Sequence, residues 1–353
     1  ADALGSVLAH SVVLSGNKLK KGHILTTENI EQLVAAGFHD VTVAILEISD
    51  VMEDDAAQRL AALLAGEHVY ATVAFTGRVN LHAKVPGILL AHSDTVDKIN
   101  RICPAITMAT LAHGSFVETG RMVATVKIIP FAVNQDHLSQ AESLAKSEQA
   151  IGVSPSVTQR VGLIATQLPF LKPSVMDKTA RILEKRITLA GSTLAWEIRV
   201  PHTEQAVAEA LQHMDTADLV VIFGASAITD PEDVLPKGAT LAGADVVRVG
   251  MPVDPGNLLM MARMGEIPVI GAPGCARSPA ENGFDWVLQR LLARLDVDTH
   301  YITGLGVGGL LMEITDHQIA IFFEVAAQRG QLAHQGAHQG GLTSAVGAQQ
   351  ADA

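Results

Sequence analysis

The chain has 353 residues, and single hydrophobic cores rarely grow beyond about 250 to 300 residues, so we expect two domains or one core with a large insertion. Hydrophobic residues make up 48% of the chain and charged residues 18%, which excludes a fully disordered protein. The formal net charge of −12 opposes binding to duplex nucleic acid or to an anionic membrane, because both attract basic surfaces.

The cysteines and the apolar runs indicate the compartment. Cys103 and Cys275 form no CxxC pair, so we expect neither a disulfide scaffold nor a zinc knuckle. No apolar run reaches the roughly 18 residues of a transmembrane helix, and the first residues lack the features of a signal peptide. We therefore expect a soluble protein in a reducing cytoplasm.

The first half of the chain mixes short helices with a sheet. Thr26 and Thr27 precede an apolar stripe that ends at Gly37, which predicts a helix over this stripe. The pattern predicts a second helix at 53–64, and β-branched runs predict strands at 41–45, 69–75, 87–91 and 122–129. We therefore expect a mixed α+β region with a sheet that is antiparallel in part.

Strands alternate strictly with helices from residue 159 onward. The pattern predicts strands at 160–166, 193–200, 218–223 and 246–249, helices at 177–189, 204–214, 231–241 and 284–295, and a hairpin at 257–261 and 267–270. Strands joined through helices need crossover connections, so we predict an α/β fold with three α/β/α layers around a mostly parallel sheet. Ligands of such sheets bind at the carboxyl ends of the strands.

The predicted domain organisation follows from these patterns. The stretch 136–157 is polar and has no strong apolar face, so we interpret it as a linker, and 331–353 has almost nothing to bury, so we expect a mobile tail. The other parts are a mixed α+β region, a ligand-binding α/β domain and a C-terminal extension, at 1–135, 158–298 and 299–330. A GxGxxG pattern at 304–309 leaves no room for a crossover helix, which argues against a nicotinamide or flavin site.

Two loops of the α/β half place glycines and polar groups directly after a strand. In the first loop, residues 223–233, Gly224 and Ala225 let a ligand approach the backbone, and Ser226 offers a hydroxyl. Asp230 begins a helix whose free N–H groups favour an anion. This loop is therefore a candidate ligand contact.

The carboxylates of the first loop, Asp230, Glu232 and Asp233, have two interpretations. Their oxygens suit a hard cation such as Mg²⁺, with Asp233 and Asp230 as its ligands, and Mg²⁺ often bridges to phosphate. Alternatively, they only complement the dipole of the helix in its first turn. The sequence leaves both interpretations open.

The second loop, residues 271–279, also lies between a strand and a helix. Gly274 permits a positive backbone torsion, and Arg277 carries a forked set of donors that suits phosphate. Cys275 is either a reactive thiolate or an inert small hydrophobe. A turn at 251–257, dense in Pro and Gly, either folds over the same site or is only a tight connection.

Asp177 is our candidate for a catalytic or substrate-reading carboxylate. It follows the loop 168–176 and begins a helix, and Lys172 and Lys178 beside it are placed to contact phosphate. An aspartate in the first turn of a helix is equally well explained by the helix dipole.

These loops resemble, in order and residue type, the molybdopterin-binding domain shared by molybdopterin adenylyltransferases and molybdopterin molybdotransferases. That family has a Gly-Gly-x-Ser loop, an acidic residue, a Pro-Gly turn and a Leu-Pro-Gly-Asn-Pro-like loop, and here their places are taken by Gly224-Ala225-Ser226, Asp233, Pro255-Gly256 and Ala272-Pro273-Gly274-Cys275. Asp177 falls where the family has the aspartate of its Asp-Ser-Asn motif. The resemblance spans about residues 160–295.

The chain as a whole resembles the amino-terminal part of a bacterial variant in which such a domain is fused to a molybdenum cofactor cytidylyltransferase. The shared landmarks lie at 122–131, 250–259 and 273–279. The nucleotide loop of a cytidylyltransferase is not visible in this sequence, so cytidylyl transfer would require a separate partner. The Thr-Gly-Asp-Glu segment of the molybdotransferase is replaced at 165–168, which favours pterin binding with loss of molybdate insertion.

The resemblance implies a role in molybdenum cofactor biosynthesis, with molybdopterin bound at the strand ends. It implies Asp177 and Asp233 as catalytic residues and, as ligand contacts, Lys172, Ser174, Lys178, Gly224, Ala225, Ser226, Asp230, Pro255, Gly256, Pro273, Gly274, Cys275, Arg277 and Ser278. A catalytic chain would be a transferase of the molybdotransferase type that uses Mg²⁺. The alternative is a non-catalytic carrier that delivers the cofactor to a cytidylyltransferase or a molybdoenzyme. We expect a homo-oligomer without nucleic acid or membrane partners.

Overall fold

The computed structural model describes residues 3–14, 16–147, 150–169, 173–214 and 216–312. The predicted tail at 331–353 and most of the predicted extension at 299–330 lie outside these residues. One compact unit ends at Gly309, and the second, residues 310–353, is described only as far as residue 312. Among the described residues, no helix is long and apolar enough to cross a bilayer.

The N-terminal region is a small layer of short strands and one helix around a leucine core. Its elements are β1 Val7–Leu8, β2 Val12–Leu14, β3 Asn17–Leu19, α1 Thr27–Ala35 and β4 Val43–Ala44. Helix α1 begins as predicted, because the Thr26 hydroxyl accepts the N–H of Asn29 and the Asn29 side chain accepts the N–H of Thr26. The strands pair antiparallel, β1 with β4 and β2 with β3.

Residues 50–155 build a second core from helices and antiparallel strands. The elements are β5 Asp50–Met52, α2 Glu53–Leu64, β6 Val69–Ala71, β7 Arg78–Ala83, β8 Gly87–Ala91, α3 Ser93–Ile102, β9 Ile106–Thr110, β10 Phe116–Val117, β11 Met122–Ile128, β12 Ala132–Asn134, α4 Gln135–Ser147 and β13 Ile151–Pro155. The sheets have the orders β6-β7-β11-β9, β10-β8-β13 and β12-β5. Helix α2 has the predicted bounds because its apolar positions share one fully buried face.

The segment 136–157, which we predicted to be a linker, is instead part of this core. Helix α4 buries Leu138, Ala141 and Ala145, and β13 pairs with β8. The buried face of α4 is narrow and mostly alanine, so it gives little hydrophobic signal in a polar segment. The N–H of Val157 then donates to the carbonyl of Leu292 at 2.8 Å, which ties this segment directly to the second half of the chain.

The second half is an α/β sheet of six strands with helices on both faces. Its elements are β14 Arg160–Gln167, α5 Pro173–Thr188, β15 Thr193–Pro201, α6 Glu204–Leu211, β16 Leu219–Phe223, α7 Val234–Leu241, β17 Asp245–Val249, β18 Met260–Met264, β19 Ile267–Ala272, α8 Gly283–Leu292 and α9 Thr299–Gly304. The strand order is β15-β14-β16-β19-β18-β17, and within this part of the described chain only β18 runs against the others. The predicted α/β fold with a mostly parallel sheet is confirmed.

Alternation of side chains along the strands produces the three layers. Val220 and Ile222 pack with α6 and α7 in one core cluster. Phe223 points to the opposite face, where its ring centroid lies 6.1 Å from that of Phe284 in α8, and α8 packs against α5. The carboxyl ends of the parallel strands β14, β15, β16 and β19 therefore meet at one edge of the sheet.

Gly304 is the last residue of helix α9, and the other glycines of the pattern at 304–309 follow this helix rather than a strand. A dinucleotide fold has the glycines between a strand and a helix. The local structure on the N-terminal side of this pattern therefore agrees with our interpretation that it is not a nicotinamide or flavin loop.

Candidate functional site

Four loops start at the carboxyl edge of the sheet, after β14, β15, β16 and β19. Helix α5 begins shortly after β14, and a 3₁₀ turn, Gly274–Arg277, follows β19. We use the term strand-end site for the side chains and loops at this edge, namely Thr166, Asp177, Thr179, Arg199, His202, residues 223–233 and residues 273–278. The predicted ligand-binding loops therefore start from adjacent parallel strands.

One peptide group of the first loop is held from both sides. The carbonyl of Gly224 accepts a hydrogen bond from Nη2 of Arg277 at 2.7 Å, and the N–H of Ala225 donates to Oγ1 of Thr166 at 2.7 Å. A Cβ on Gly224 would lie 2.9 Å from the carbonyl oxygen of Ser226, so the turn needs the close backbone approach that glycine allows. The backbone of this loop is thus fixed where it leaves β16.

Ser226 contacts a histidine that the sequence did not single out. Oγ of Ser226 lies 2.7 Å from Nε2 of His202, and Nδ1 of His202 lies 2.8 Å from Oγ1 of Thr166. Burial lowers the pKa of His202, although the Asp233 carboxylate opposes this shift, and the net lowering favours the neutral imidazole. Three adjacent strands, β14, β15 and β16, lead into this contact.

Arg277, which we predicted to contact phosphate, is anchored to the fold. Its Nη1 donates to Oγ1 of Thr179 in α5 at 2.8 Å, and its guanidinium carbon lies 5.2 Å from the ring centroid of Phe223. Together with the bond to Gly224, these contacts tie α5, β16 and the 3₁₀ turn to one cation. The strand-end site therefore carries a fixed positive charge.

Asp177, our candidate catalytic carboxylate, is paired with an arginine from β15. Nη2 of Arg199 donates to Oδ1 of Asp177 at 2.6 Å, and Nε of Arg199 donates to Oε1 of Glu197 at 2.5 Å. Hydrogen bonds to Glu197 and then Asp177 raise the pKa of Arg199. Helix α5 begins at Pro173 with no acidic residue in its first turn, so a first-turn interaction with the helix dipole does not explain Asp177.

The carboxylates of the first loop hydrogen-bond within that loop. Oδ2 of Asp233 accepts from the N–H and the hydroxyl of Thr229 at 2.5 and 2.9 Å and from the N–H of Asp230 at 3.1 Å. Burial raises the pKa of Asp233, but these hydrogen bonds outweigh burial and lower it. Oδ1 of Asp230 accepts the N–H of Glu232 at 2.6 Å. Helix α7 then begins at Val234, after Asp233 at its N-cap.

These contacts bear on the predicted magnesium ligands, Asp233 and Asp230. Across the residues that the structure describes, no group of three or more His, Cys, Asp or Glu is placed to hold a metal ion. Carboxylate oxygens suit Mg²⁺ chemically. Magnesium at these two residues therefore stays a prediction, and the observed contacts of both carboxylates lie within the loop.

The second loop differs in detail from our expectation. The backbone of Gly274 has no positive φ, because the 3₁₀ turn begins at this residue, and a Cβ there would meet nothing within 4 Å. Burial raises the pKa of the Cys275 thiol. A protonated, half-buried thiol favours the inert interpretation of Cys275 over the reactive thiolate.

The turn at 251–257 packs against the start of α8. The carbonyl of Pro255 accepts the N–H of Gly283 at 2.9 Å. Gly256 has a φ of +140°, and a Cβ there would lie 2.8 Å from the backbone nitrogen of Gly283. These contacts fit the interpretation of the turn as a tight connection.

Arg186 of α5 holds the second loop and was missed at the sequence level. Its Nε donates to Oδ1 of Asp285 at 2.5 Å, and its terminal nitrogens donate to the carbonyls of Ala276 and Ser278 at 2.7 and 2.8 Å. Both side chains of the Arg186–Asp285 pair are only 10% exposed. Asp285 is 99 positions away in the chain, so no local pattern could have paired it with Arg186.

The remaining predicted residues are spread over this edge. Lys172 lies outside the described residues. Ser174, Lys178 and Ser278 are exposed, and Pro273 is the N-cap of the 3₁₀ turn. Among the described residues, no hydrogen bond or ion pair directly joins Asp177, Ser226 and Gly274, which are three of the predicted site residues.

Two cavities lie elsewhere on the molecule. One, of about 280 Å³, lies between β15 and α6, and its lining residues are Ile198, Val200, Pro201, Ala206, Glu209, Ala210 and His213. The other, of about 450 Å³, lies between α3 and α4, and its lining residues are Ile102, Ser139, Gln140, Ser143 and Leu144. Neither cavity is lined by a residue of the strand-end site.

Comparison with known proteins gives a match at the N-terminus and weak structural similarities. A family model described as Domain of unknown function (DUF8806) matches residues 1–45. No curated protein matches the chain. The protein CinA with unknown function from Thermoplasma acidophilum is similar at 17% identity and a TM-score of 0.28, over 34% of this chain and 90% of that chain.

A molybdopterin biosynthesis MoeA protein from Pyrococcus horikoshii is similar at 14% identity and a TM-score of 0.28, over 69% of this chain and 79% of that chain. NadC from Streptococcus pyogenes is similar at 13% identity and a TM-score of 0.17, over 55% of this chain and 82% of that chain. Scores this low carry no argument about function.

Proposed function

We propose that the strand-end site binds molybdopterin and that the protein acts in molybdenum cofactor biosynthesis. The observation that carries this proposal is the peptide group between Gly224 and Ala225, which is hydrogen-bonded on both sides and lies beside the fixed cation of Arg277. A rigid backbone next to a positive charge suits a flat ligand with an anionic arm. Molybdopterin has that form, because it joins a pterin ring to a phosphate and a dithiolene.

The chemistry of the edge fits both ends of such a ligand. A phosphate needs donors and positive potential, which Arg277 and the N-terminus of α5 supply, since the first turn of α5 carries no acidic residue. Ser174 and Lys178 lie near this helix start and are exposed. A pterin ring edge needs hydrogen-bond donors and acceptors, and Ser226 supplies a hydroxyl of this kind.

Two observations favour a carrier over an enzyme. Asp177 is paired with Arg199, and Asp233 accepts hydrogen bonds from Thr229 and Asp230. Both carboxylates that catalysis would need are therefore already held by the protein. We propose that the chain presents the cofactor to a cytidylyltransferase or a molybdoenzyme, and that a magnesium-dependent molybdotransferase is the alternative.

Titration of the purified full chain with molybdopterin, under anaerobic conditions and followed by pterin fluorescence, tests the proposal. We expect saturable binding at micromolar concentrations. Arg277→Gln should weaken this binding about tenfold, because it removes a charge-assisted donor. Arg101→Gln is the matched control, because Arg101 pairs with Asp97 on the exposed surface of α3. A folded wild-type chain that shows no saturable binding contradicts the proposal.

A turnover assay separates the carrier from the enzyme. Adenylylated molybdopterin, molybdate and Mg²⁺ are incubated with the chain, and cleavage of the adenylate is measured. The carrier predicts tight binding without turnover. Turnover that is lost in Asp177→Ala supports the molybdotransferase instead.

A further inference from the structure

Hydrogen bonds of the strand-end site form one continuous chain. The chain begins at the guanidinium of Arg277 and passes through the Gly224–Ala225 peptide group. It continues through Thr166 and His202 and ends at Ser226. The four contacts between these groups measure 2.7, 2.7, 2.8 and 2.7 Å, which lie within the usual range for hydrogen bonds.

The direction of each bond follows from the donors and acceptors present. The guanidinium of Arg277 only donates, and the amide of Ala225 only donates, so Oγ1 of Thr166 accepts from Ala225. In the described part of the chain, the Thr166 hydroxyl has one further partner, Nδ1 of His202. Thr166 is 1% exposed, and a buried hydroxyl proton needs an acceptor, so Thr166 donates to Nδ1.

The hydrogen bond from Thr166 determines which ring nitrogen of His202 carries the proton. A neutral imidazole has one N–H, and because Nδ1 accepts from Thr166, that proton lies on Nε2. Nε2–H then donates to Oγ of Ser226. The Ser226 side chain is exposed, and because its oxygen accepts from His202, its own proton is left to be donated to a group at the site.

We infer that Thr166 and His202 are positioning residues that hold Ser226 as a hydrogen-bond donor toward the ligand, and that Ser226 selects a hydrogen-bond acceptor. A phosphate oxygen and the ring carbonyl of a pterin both supply that acceptor. Every donor in the chain points away from the positive charge of Arg277, so each bond polarises the next. The arrangement is the reverse of a Ser–His nucleophile pair, in which the ring nitrogen accepts the serine proton. The identity of the ligand rests on the proposed function, whereas the tautomer of His202 does not.

The tautomer is measured without any ligand, by nitrogen-resolved NMR of the histidine rings in the full chain, with His202→Gln used to assign the signals. We expect a pyridine-type Nδ1 and a pyrrole-type Nε2. Thr166→Val removes the donor at similar volume, so a share of the Nδ1-protonated form should appear, and Thr166→Ser should restore the wild-type spectrum. A pyrrole-type Nδ1 in the wild-type chain overturns the inference.

The acceptor is identified with inorganic phosphate and an unphosphorylated pterin as separate probes. Ser226→Ala and Thr166→Val should weaken binding of the probe that Ser226 contacts by about fivefold to tenfold, while Thr166→Ser binds like the wild type. Thr240→Val is the matched control, because that hydroxyl donates to the Pro236 carbonyl within α7. Failure of both probes to bind the wild type, or unchanged binding in Ser226→Ala, overturns the role of Ser226.

The two proposals fail separately. If the chain has the expected His202 tautomer but does not bind molybdopterin, the proposed function is wrong. The inference that Ser226 is a hydrogen-bond donor then still holds. A chain that binds molybdopterin but carries the proton on Nδ1 of His202 removes the inference alone.

Discussion

Arg186→Met removes the cation that holds the second loop, and it should cost the fold more than any exposed arginine. The Arg186–Asp285 pair is 10% exposed on both sides, and the same guanidinium donates to the carbonyls of Ala276 and Ser278. Methionine keeps much of the aliphatic volume, so the main loss is the pairing of a buried carboxylate. Breaking a buried pair from one side costs about 3–5 kcal/mol, and we expect a loss of this size in the free energy of unfolding.

Urea unfolding of the full chain, followed by far-ultraviolet circular dichroism, measures this loss. Arg101→Met is the control, because the Arg101 and Asp97 side chains are 72% and 57% exposed, and an exposed pair contributes about 0–1 kcal/mol. Adding Asp285→Asn to Arg186→Met should recover part of the stability, since the unpaired buried charge is then removed. A loss in Arg186→Met no larger than that in Arg101→Met would refute the reasoning.

Three further predictions concern single residues. Gly256→Ala should lower the free energy of unfolding by about 1–3 kcal/mol, because the φ of +140° at Gly256 and its contact with the start of α8 exclude a Cβ. Gly274→Ala should change the free energy of unfolding by less than about 0.5 kcal/mol, because a Cβ there meets nothing. Equal urea midpoints for the two variants would contradict this prediction. In a Cys103→Ala background, iodoacetamide should alkylate Cys275 more slowly in the native chain than in urea, because burial raises its pKa; equal rates would argue for a reactive thiolate. The pKa of His202 in the folded chain lies below its ordinary value of 6.5. As the pH falls, the His202 ring therefore takes up a proton in the unfolded chain before it does so in the folded chain. The free energy of unfolding should thus fall as the pH drops below 6.5. This fall should be smaller in His202→Asn, and an identical pH profile would show that the ring is not buried.

The sequence predicts the α/β half of the fold because its signals are strong and local. Strand β16 is apolar along its whole length, and the strands on either side of each helix need crossover connections. Helix α2 is predicted to the residue because its apolar positions keep the helical period. Helix α4 escapes prediction because its buried face is mostly alanine, which hardly differs in hydropathy from a solvated segment.

The site is predictable only where a loop follows a strand. Gly224, Ser226 and Arg277 stand in such loops, so the sequence predicts that they lie at the carboxyl edge of the sheet. His202 and Thr166 cannot be predicted because their partners are distant in the chain. His202 contacts Ser226, which lies 24 residues away, and Thr166 contacts Ala225, which lies 59 residues away. Those contacts depend on the order of the strands, which no local pattern contains.

Hydrogen–deuterium exchange of the full chain, with and without molybdopterin, tests most directly whether the strand ends hold the ligand. We predict that molybdopterin slows exchange in peptides that cover residues 223–230 and 274–278, and that Arg277→Gln reduces this protection at equal ligand concentration. Protection confined to the cavity between β15 and α6 or to the cavity between α3 and α4, or no protection at saturating ligand, would contradict the account.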